Sequence, residues 1–239
     1  MLVGKDFEKI EFELFDLKLL EPNTFIGDLV LFLLAMYFVY KTSDLKKHHQ
    51  FFRYWHLFFL IIGLSFLSGG FGHLMYNYWG VPGKYPPWLL GFIAIYFVEQ
   101  AMISFYHVKK KKDLFVKLST YKLFLFLVIE ILLFVFYPLS EDPVKGLILP
   151  SVSSFIGLFL TIGLLGYHYQ KTIHPSFKYL WISTIVLLPS LIFHVFKINI
   201  HPWLDKNDLS HLLLLISLVL YYLCIKSFSE TFSANKDFA

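Results

Sequence analysis

The sequence predicts an all-α polytopic membrane protein, a seven-transmembrane-helix bundle with its N-terminus outside and its C-terminus in the cytoplasm. Three observations carry that prediction. Of 239 residues, 57% are hydrophobic and only 16% are charged, whereas soluble domains average about 25% charged. The apolar residues gather into seven runs, most near the ~20 residues a helix needs to cross bilayer hydrocarbon. Lysines collect between alternate runs, as the positive-inside rule requires. The length suits one bundle and leaves no room for a second soluble domain.

Residues 1–23 form an amphipathic N-terminal segment. Phe7, Ile10, Leu14 and Leu17 recur at helical spacing, while Ile10, Phe12 and Leu14 alternate as in a strand. Either way the segment has one apolar side, which lays it on the bilayer surface or over the mouth of the bundle. Its mixture of acids with Phe and Leu does not read as a cleaved signal peptide. The transmembrane domain occupies residues 24–228, with spans at 24–41, 54–76, 88–107, 121–139, 151–170, 179–200 and 208–228. Pro22, Pro86, Pro87, Pro150, Pro175 and Pro202 punctuate the connections. Pro189 falls inside the sixth span and predicts a kink there. Residues 229–239 form a cytoplasmic tail.

Orientation follows from the lysines. One side carries Lys41, Lys46, Lys47 and Arg53, then Lys109 to Lys112 with Lys117 and Lys122, then Lys171, Lys178, Lys226 and Lys236. The opposite loops carry only Lys84, Lys145, Lys197 and Lys206, and the N-terminal segment adds Lys5, Lys9 and Lys18, outnumbered there by acids. The lysine-rich side is therefore expected in the cytoplasm. The Lys109–Lys112 run lies beside a span, so it reads as a membrane-boundary charge and not as a nucleic-acid patch. The single cysteine, Cys224, excludes an internal disulfide, a thiol redox pair and a cysteine-based zinc site.

Ionisable groups inside hydrocarbon are costly, so each is a functional candidate. Sorted by depth, most fall in the outer half. Glu21, Asn23 and Asp28 lie at the outer end of the first span, and Ser65, Ser68 and His73 in the second from middle to outer depth. Glu99 and Gln100 lie deeper in the third, about 16 Å below its outer end at 1.5 Å per residue. His194 lies in the outer third of the sixth, and His201, Asp205, Asn207, Asp208 and His211 follow it. Asn207 and His211 are four apart and share a helix face. Histidines and carboxylates at one depth suit zinc with an open position for water. The plainer reading is that boundary residues need no explanation, that Ser65 and Ser68 bond within their own helix, and that Gly69, Gly70 and Gly72 allow close packing. Glu130, deep in the fourth span, has no obvious partner.

Three stretches carry a resemblance. These are Glu21-Pro22-Asn23, Ser68-Gly-Gly-Phe-Gly-His73 and Asp205-Lys-Asn207-Asp-Leu-Ser-His211. They resemble the CREST superfamily of seven-helix membrane hydrolases and receptors, which includes alkaline ceramidases and progestin/adipoQ receptors. They also resemble a bacterial seven-helix group with a Glu-Pro start and an Asp inside the first helix, here Asp28. The resemblance implies a zinc site in which His73 and His211 are ligands and Asn207, His201 or Asp205 complete the set. Asn207 stands where the superfamily pattern has its first seventh-helix histidine, and the Trp-Cys that precedes the ceramidase Glu is missing. The acid expected before the third helix is also missing, and only the deeper Glu99 could stand in for it.

The expected function is a zinc-dependent hydrolase of a lipid amide or ester, in a bacterial cell membrane, with membrane lipids as partners. Ser68, Asp28 and Glu99 would serve catalysis, and Glu21, Asn23, His194 and Glu130 are further buried polar groups. The alternative is a non-enzymatic receptor or a small-molecule or proton carrier using the same cavity. A serine dyad of Ser65 with His211 ranks below both. A retinal protein ranks lower still, because the only lysine of the seventh span, Lys226, sits at its inner end.

Overall fold

A computed structural model of the chain describes residues 7–234. Residues 1–6 of the N-terminal segment and 235–239 of the expected tail, with Lys5 and Lys236, lie outside the described residues. Seven helices are long and apolar enough to cross a membrane. They are α1 (Pro22–Thr42), α2 (Gln50–Leu74), α3 (Val81–Ile103), α4 (Lys109–Phe136), α5 (Val144–Thr172), α6 (Pro175–Val195) and α7 (Lys206–Ala234).

Most of these helices overrun the expected spans. The difference is largest at α4, which starts at Lys109. An apolar run marks only the part of a helix that matches the hydrocarbon, and lysine, a good helix former, lets the hydrogen bonding continue past it. Lys122 thus lies about 20 Å inside α4, not at its boundary. The expected tail corrects similarly. The last helix continues to Ala234, because Phe232 is buried against His49 and Phe52. Pro150 is another correction: it lies inside α5, whose helix opens at Val144 after Pro143. Pro189 lies within α6.

The N-terminal segment resolves to a strand pair. β1 (Glu11–Leu14) runs antiparallel to β2 (Leu17–Leu20), joined by Phe15 and Asp16 with φ of 50° and 61°. Two-residue hairpin turns require such positive φ values. The hairpin docks on the turn after α2, where Tyr78 Oη accepts from Lys18 N at 2.9 Å. Asn77 Nδ2 donates to Lys18 O and Glu11 Oε1 at 3.1 and 2.9 Å.

In the bundle, α1 packs on α2 and α7, α2 on α3, α3 on α5, and α6 on both α5 and α7. Helix α4 touches α3 and α5 from outside. Only 11% of its apolar window is buried, against 50% for α3. Within α5, residues Phe159–Leu165 relax into a π-helix. The lysine-rich half is cored by aromatic rings, among them Phe51, Trp55, Phe177 and Phe228. His49 caps α2 there, its Nδ1 accepting from Phe51 N at 3.1 Å. Burial, then the charge of Lys112, lowers its pKa and keeps the ring an acceptor. The rings leave little room for charge at that end, and the buried histidine–carboxylate pairs collect at the other.

Candidate functional site

The lysine-poor end is organised by the start of α1. Glu21 precedes Pro22, which fits the first helical position because it has no N–H to leave unpaired. Glu21 itself is left-handed, with φ of 52°, a conformation that costs a non-glycine residue about 1–3 kcal/mol. Its surroundings hold it there. Its N–H donates to Ile10 O at 2.9 Å, closing the chain onto the hairpin. Its carboxylate, 3% exposed, meets His73 Nδ1 at 2.6 Å and Lys9 Nζ at 2.5 Å. Burial alone would raise the Glu21 pKa. The hydrogen bond and charge of His73, with Lys9 and Lys84, outweigh it and hold the carboxyl well below the usual carboxylate range.

A second pair lies two turns further along α1. Asp28 Oδ1 is 3.3 Å from His211 Nε2. The other ring nitrogen of His211 is buried without a partner. A Cβ at Gly27 would come within 2.7 Å of that nitrogen, so glycine is what lets the α7 ring approach α1 this closely. The two pairs fasten α2 and α7 to the same short stretch of α1.

The start of α7 is a capping network. Asp205 accepts from Asn207 N at 2.6 Å and Asp208 N at 3.1 Å, while Asp208 Oδ2 accepts from Asp205 N at 2.9 Å. This reciprocal arrangement satisfies the orphan donors of the first turn. Asn207 Nδ2 also donates to Asp205 Oδ2 at 3.1 Å. Asn23 Nδ2 reaches Asp208 Oδ2 at 2.6 Å, joining the starts of α1 and α7.

The remaining candidates lie elsewhere. Ser68 Oγ donates to Ser65 O at 3.0 Å, within its own helix, and faces a groove beside Trp79 and Pro82. Ser65 Oγ donates to Pro87 O at 3.0 Å, so the serine–histidine dyad does not form. Glu99 is ion-paired with Lys122 and accepts from Ser119 Oγ at 2.5 Å, which removes it from the cluster. His201 is exposed, and its Nδ1 accepts from Trp203 N at 3.2 Å in a turn. Glu130 is fully buried, apart from both pairs. His194 lines a cavity of about 340 Å³ between α5, α6 and α7, together with Ser151, Ser154, Thr184, Ser190 and apolar side chains such as Leu158 and Leu191. It also lies within electrostatic reach of Asp205, Lys206 and His211. Lys9, counted from sequence only among the lysines of the N-terminal segment, is the ion-pair partner that was missed, and Lys84, counted only among those of the lysine-poor loops, lies within electrostatic reach of Glu21. Their signal was sequence distance from Glu21 alone, which says nothing of contact.

A zinc site needs at least three converging donors. Among the described residues, no group of three or more His, Cys, Asp or Glu side chains is placed to hold a metal ion. His73 and His211 each commit a ring nitrogen to a carboxylate, and Asn207 is folded onto Asp205. The described residues do not make a three-ligand set. No curated protein and no solved structure matches the chain. A family model described as a family of unknown function (DUF6962) matches residues 23–230, from the first turn of α1 to near the end of α7, and the chain belongs to that family.

Proposed function

We propose that this protein is a non-catalytic seven-helix membrane receptor that binds a single-chain, lipid-like molecule. One observation carries the reading: the cavity between α5, α6 and α7 joins an apolar interior to a polar end. It reaches from Thr184 and Phe159 near mid-helix to Ser151 and His194 at the lysine-poor end. Ten residues of α6 separate Thr184 from His194, about 15 Å of helix. Its volume, about 340 Å³, is at the small end of ligand pockets. An acyl chain fits the apolar length, and a hydrogen-bonding head group fits His194, Ser190 and Ser151. The neighbouring histidine–carboxylate pairs are then the frame that fixes α1, α2 and α7 against the pocket. The lysine asymmetry supports a cell-membrane protein with its lysine-rich end in the cytoplasm and the pocket opening in the outer leaflet.

Saturation binding of a fluorescent single-chain lipid amide to the full chain in lipid nanodiscs tests this. Saturable binding is expected, weakened about tenfold or more, or ~1.4 kcal/mol, by Ser154→Trp, which fills the cavity. Partitioning that neither saturates nor responds to Ser154→Trp overturns the reading. So does cleavage of the amide by protein carrying stoichiometric zinc, which is the result expected of a hydrolase.

A further inference from the structure

The seam between α3 and α4 holds two acids in opposite circumstances. Towards the lysine-rich end, Lys122 forms an ion pair with Glu99, and Ser119 Oγ donates to the same carboxylate at 2.5 Å. Next along the seam, Phe126 meets Phe92 edge-on with centroids 6.0 Å apart. Further on, Phe134 stacks on Tyr85 at 3.8 Å and lies 6.1 Å from Trp88. Positions 126, 130 and 134 are four apart and share a helix face. Glu130 therefore sits between two aromatic layers.

Glu130 has no exposed surface, and neither carboxylate oxygen has a hydrogen-bond partner among the described residues. The charged and titratable groups near it are accounted for. On its own helix, Lys122 is about 12 Å away along the axis and is held by Glu99. From α3, Tyr85 is the group within electrostatic reach. On α5, Lys145 is half-exposed and bonded to Tyr137 beside Asp142. An ionised carboxylate between these rings would lack both counter-charge and donor, and buried groups in that situation neutralise.

We infer that Glu130 is an intramembrane proton-binding site, an acid that carries its proton within the α3–α4 seam. It differs from Asp28 and Glu99, the other buried acids inside the spans, each of which has a basic partner. Release of the proton requires a base or water to be admitted to the seam as acceptor. Helix α4 is the helix least held by the rest of the bundle.

Infrared spectroscopy of the full chain in bilayers tests this at neutral pH. The C=O stretching band of a protonated carboxylic acid is expected in the wild type, reduced in Glu130→Gln and unchanged in Glu99→Gln. Labelling of wild-type protein with a hydrophobic carbodiimide, which adds to protonated membrane acids, is expected to place the adduct on Glu130 by peptide mass mapping. This second measurement does not depend on the variant folding. A band unchanged by Glu130→Gln, or an adduct on Glu99 and none on Glu130, overturns the inference.

Discussion

Glu21 and Glu130 are both almost completely buried, at 3% and 0% exposure, yet one lies against a histidine and a lysine and the other lies among aromatic rings. Their places in the chain explain the difference. Glu21 is at a helix end, where the hairpin, α1 and the end of α2 converge and a long lysine from outside can reach in. Glu130 is on the most peripheral helix, six residues before its end at Phe136, where the facing turns of the neighbouring helix supply rings. Buried acids in this bundle are therefore met by a base where a histidine or lysine reaches them, as at Glu21 and Glu99, and left to a proton where only rings do, as at Glu130.

The comparison breaks first at Glu21. Glu21→Ala leaves His73 buried without its carboxylate, and losing one partner of a buried pair costs about 3–5 kcal/mol. Reversible unfolding in mixed micelles is expected to show that loss, and a change below about 1 kcal/mol would mean the pair does not hold α2 to α1. The pH dependence sharpens the same point. Because the folded-state carboxyl is held below its unfolded value, its contribution is fully present above the unfolded pKa of about 4.3 and is lost as pH falls towards the folded value. Melting temperatures followed downward from pH 6 are expected to fall more steeply for wild type than for Glu21→Gln. Equal slopes would locate the acid sensitivity elsewhere.

A smaller effect is expected at the start of α7. Asp205→Ala removes the acceptor for two backbone N–H groups and for Asn207 Nδ2, and loss of an N-cap typically costs about 1 kcal/mol. Asn207→Ala removes only one of these contacts and is expected to cost less. If Asn207→Ala is instead the more damaging in the same unfolding assay, Asn207 has a role beyond the cap.

How much of this was legible depends on what each signal measures. The seven long apolar helices follow from run length, because an apolar run of about 20 residues is what a helix of spanning length requires. Depth sorting also brought Glu21, Asp28, His73 and His211 to the same end of the bundle, because the rise per residue converts position into depth. Depth carries no angle, however. Ser68 and His73 are five residues apart and so about 140° apart around α2, which is why Ser68 faces a different groove. Glu99 was assigned to the outer cluster on depth alone, while its partner Lys122 was taken for a boundary charge. The hairpin was ambiguous because Ile10 and Leu14 belong both to the alternating set with Phe12 and to the helical set with Phe7 and Leu17, and its two-residue turn carries no glycine to announce it. Asn207 and Asp205 were read as donors to a metal because an N-cap and a ligand set use the same residue types.

The smallest expected effect is the most discriminating. If Glu130 carries a proton, Glu130→Gln replaces one neutral polar group by another of nearly the same shape. It removes no ion pair and no hydrogen bond formed by the described residues, so the unfolding free energy is expected to change by less than about 1 kcal/mol. Glu21→Gln, the same chemical change at the other site, discharges a carboxylate that two basic groups face and is expected to cost several times more at neutral pH. The ratio of the two losses, measured in one micelle system, tests the contrast without reference to absolute stability. Equal losses would mean that Glu130 is ionised with a partner, and the contrast between a base-paired acid and a proton-neutralised one would fail.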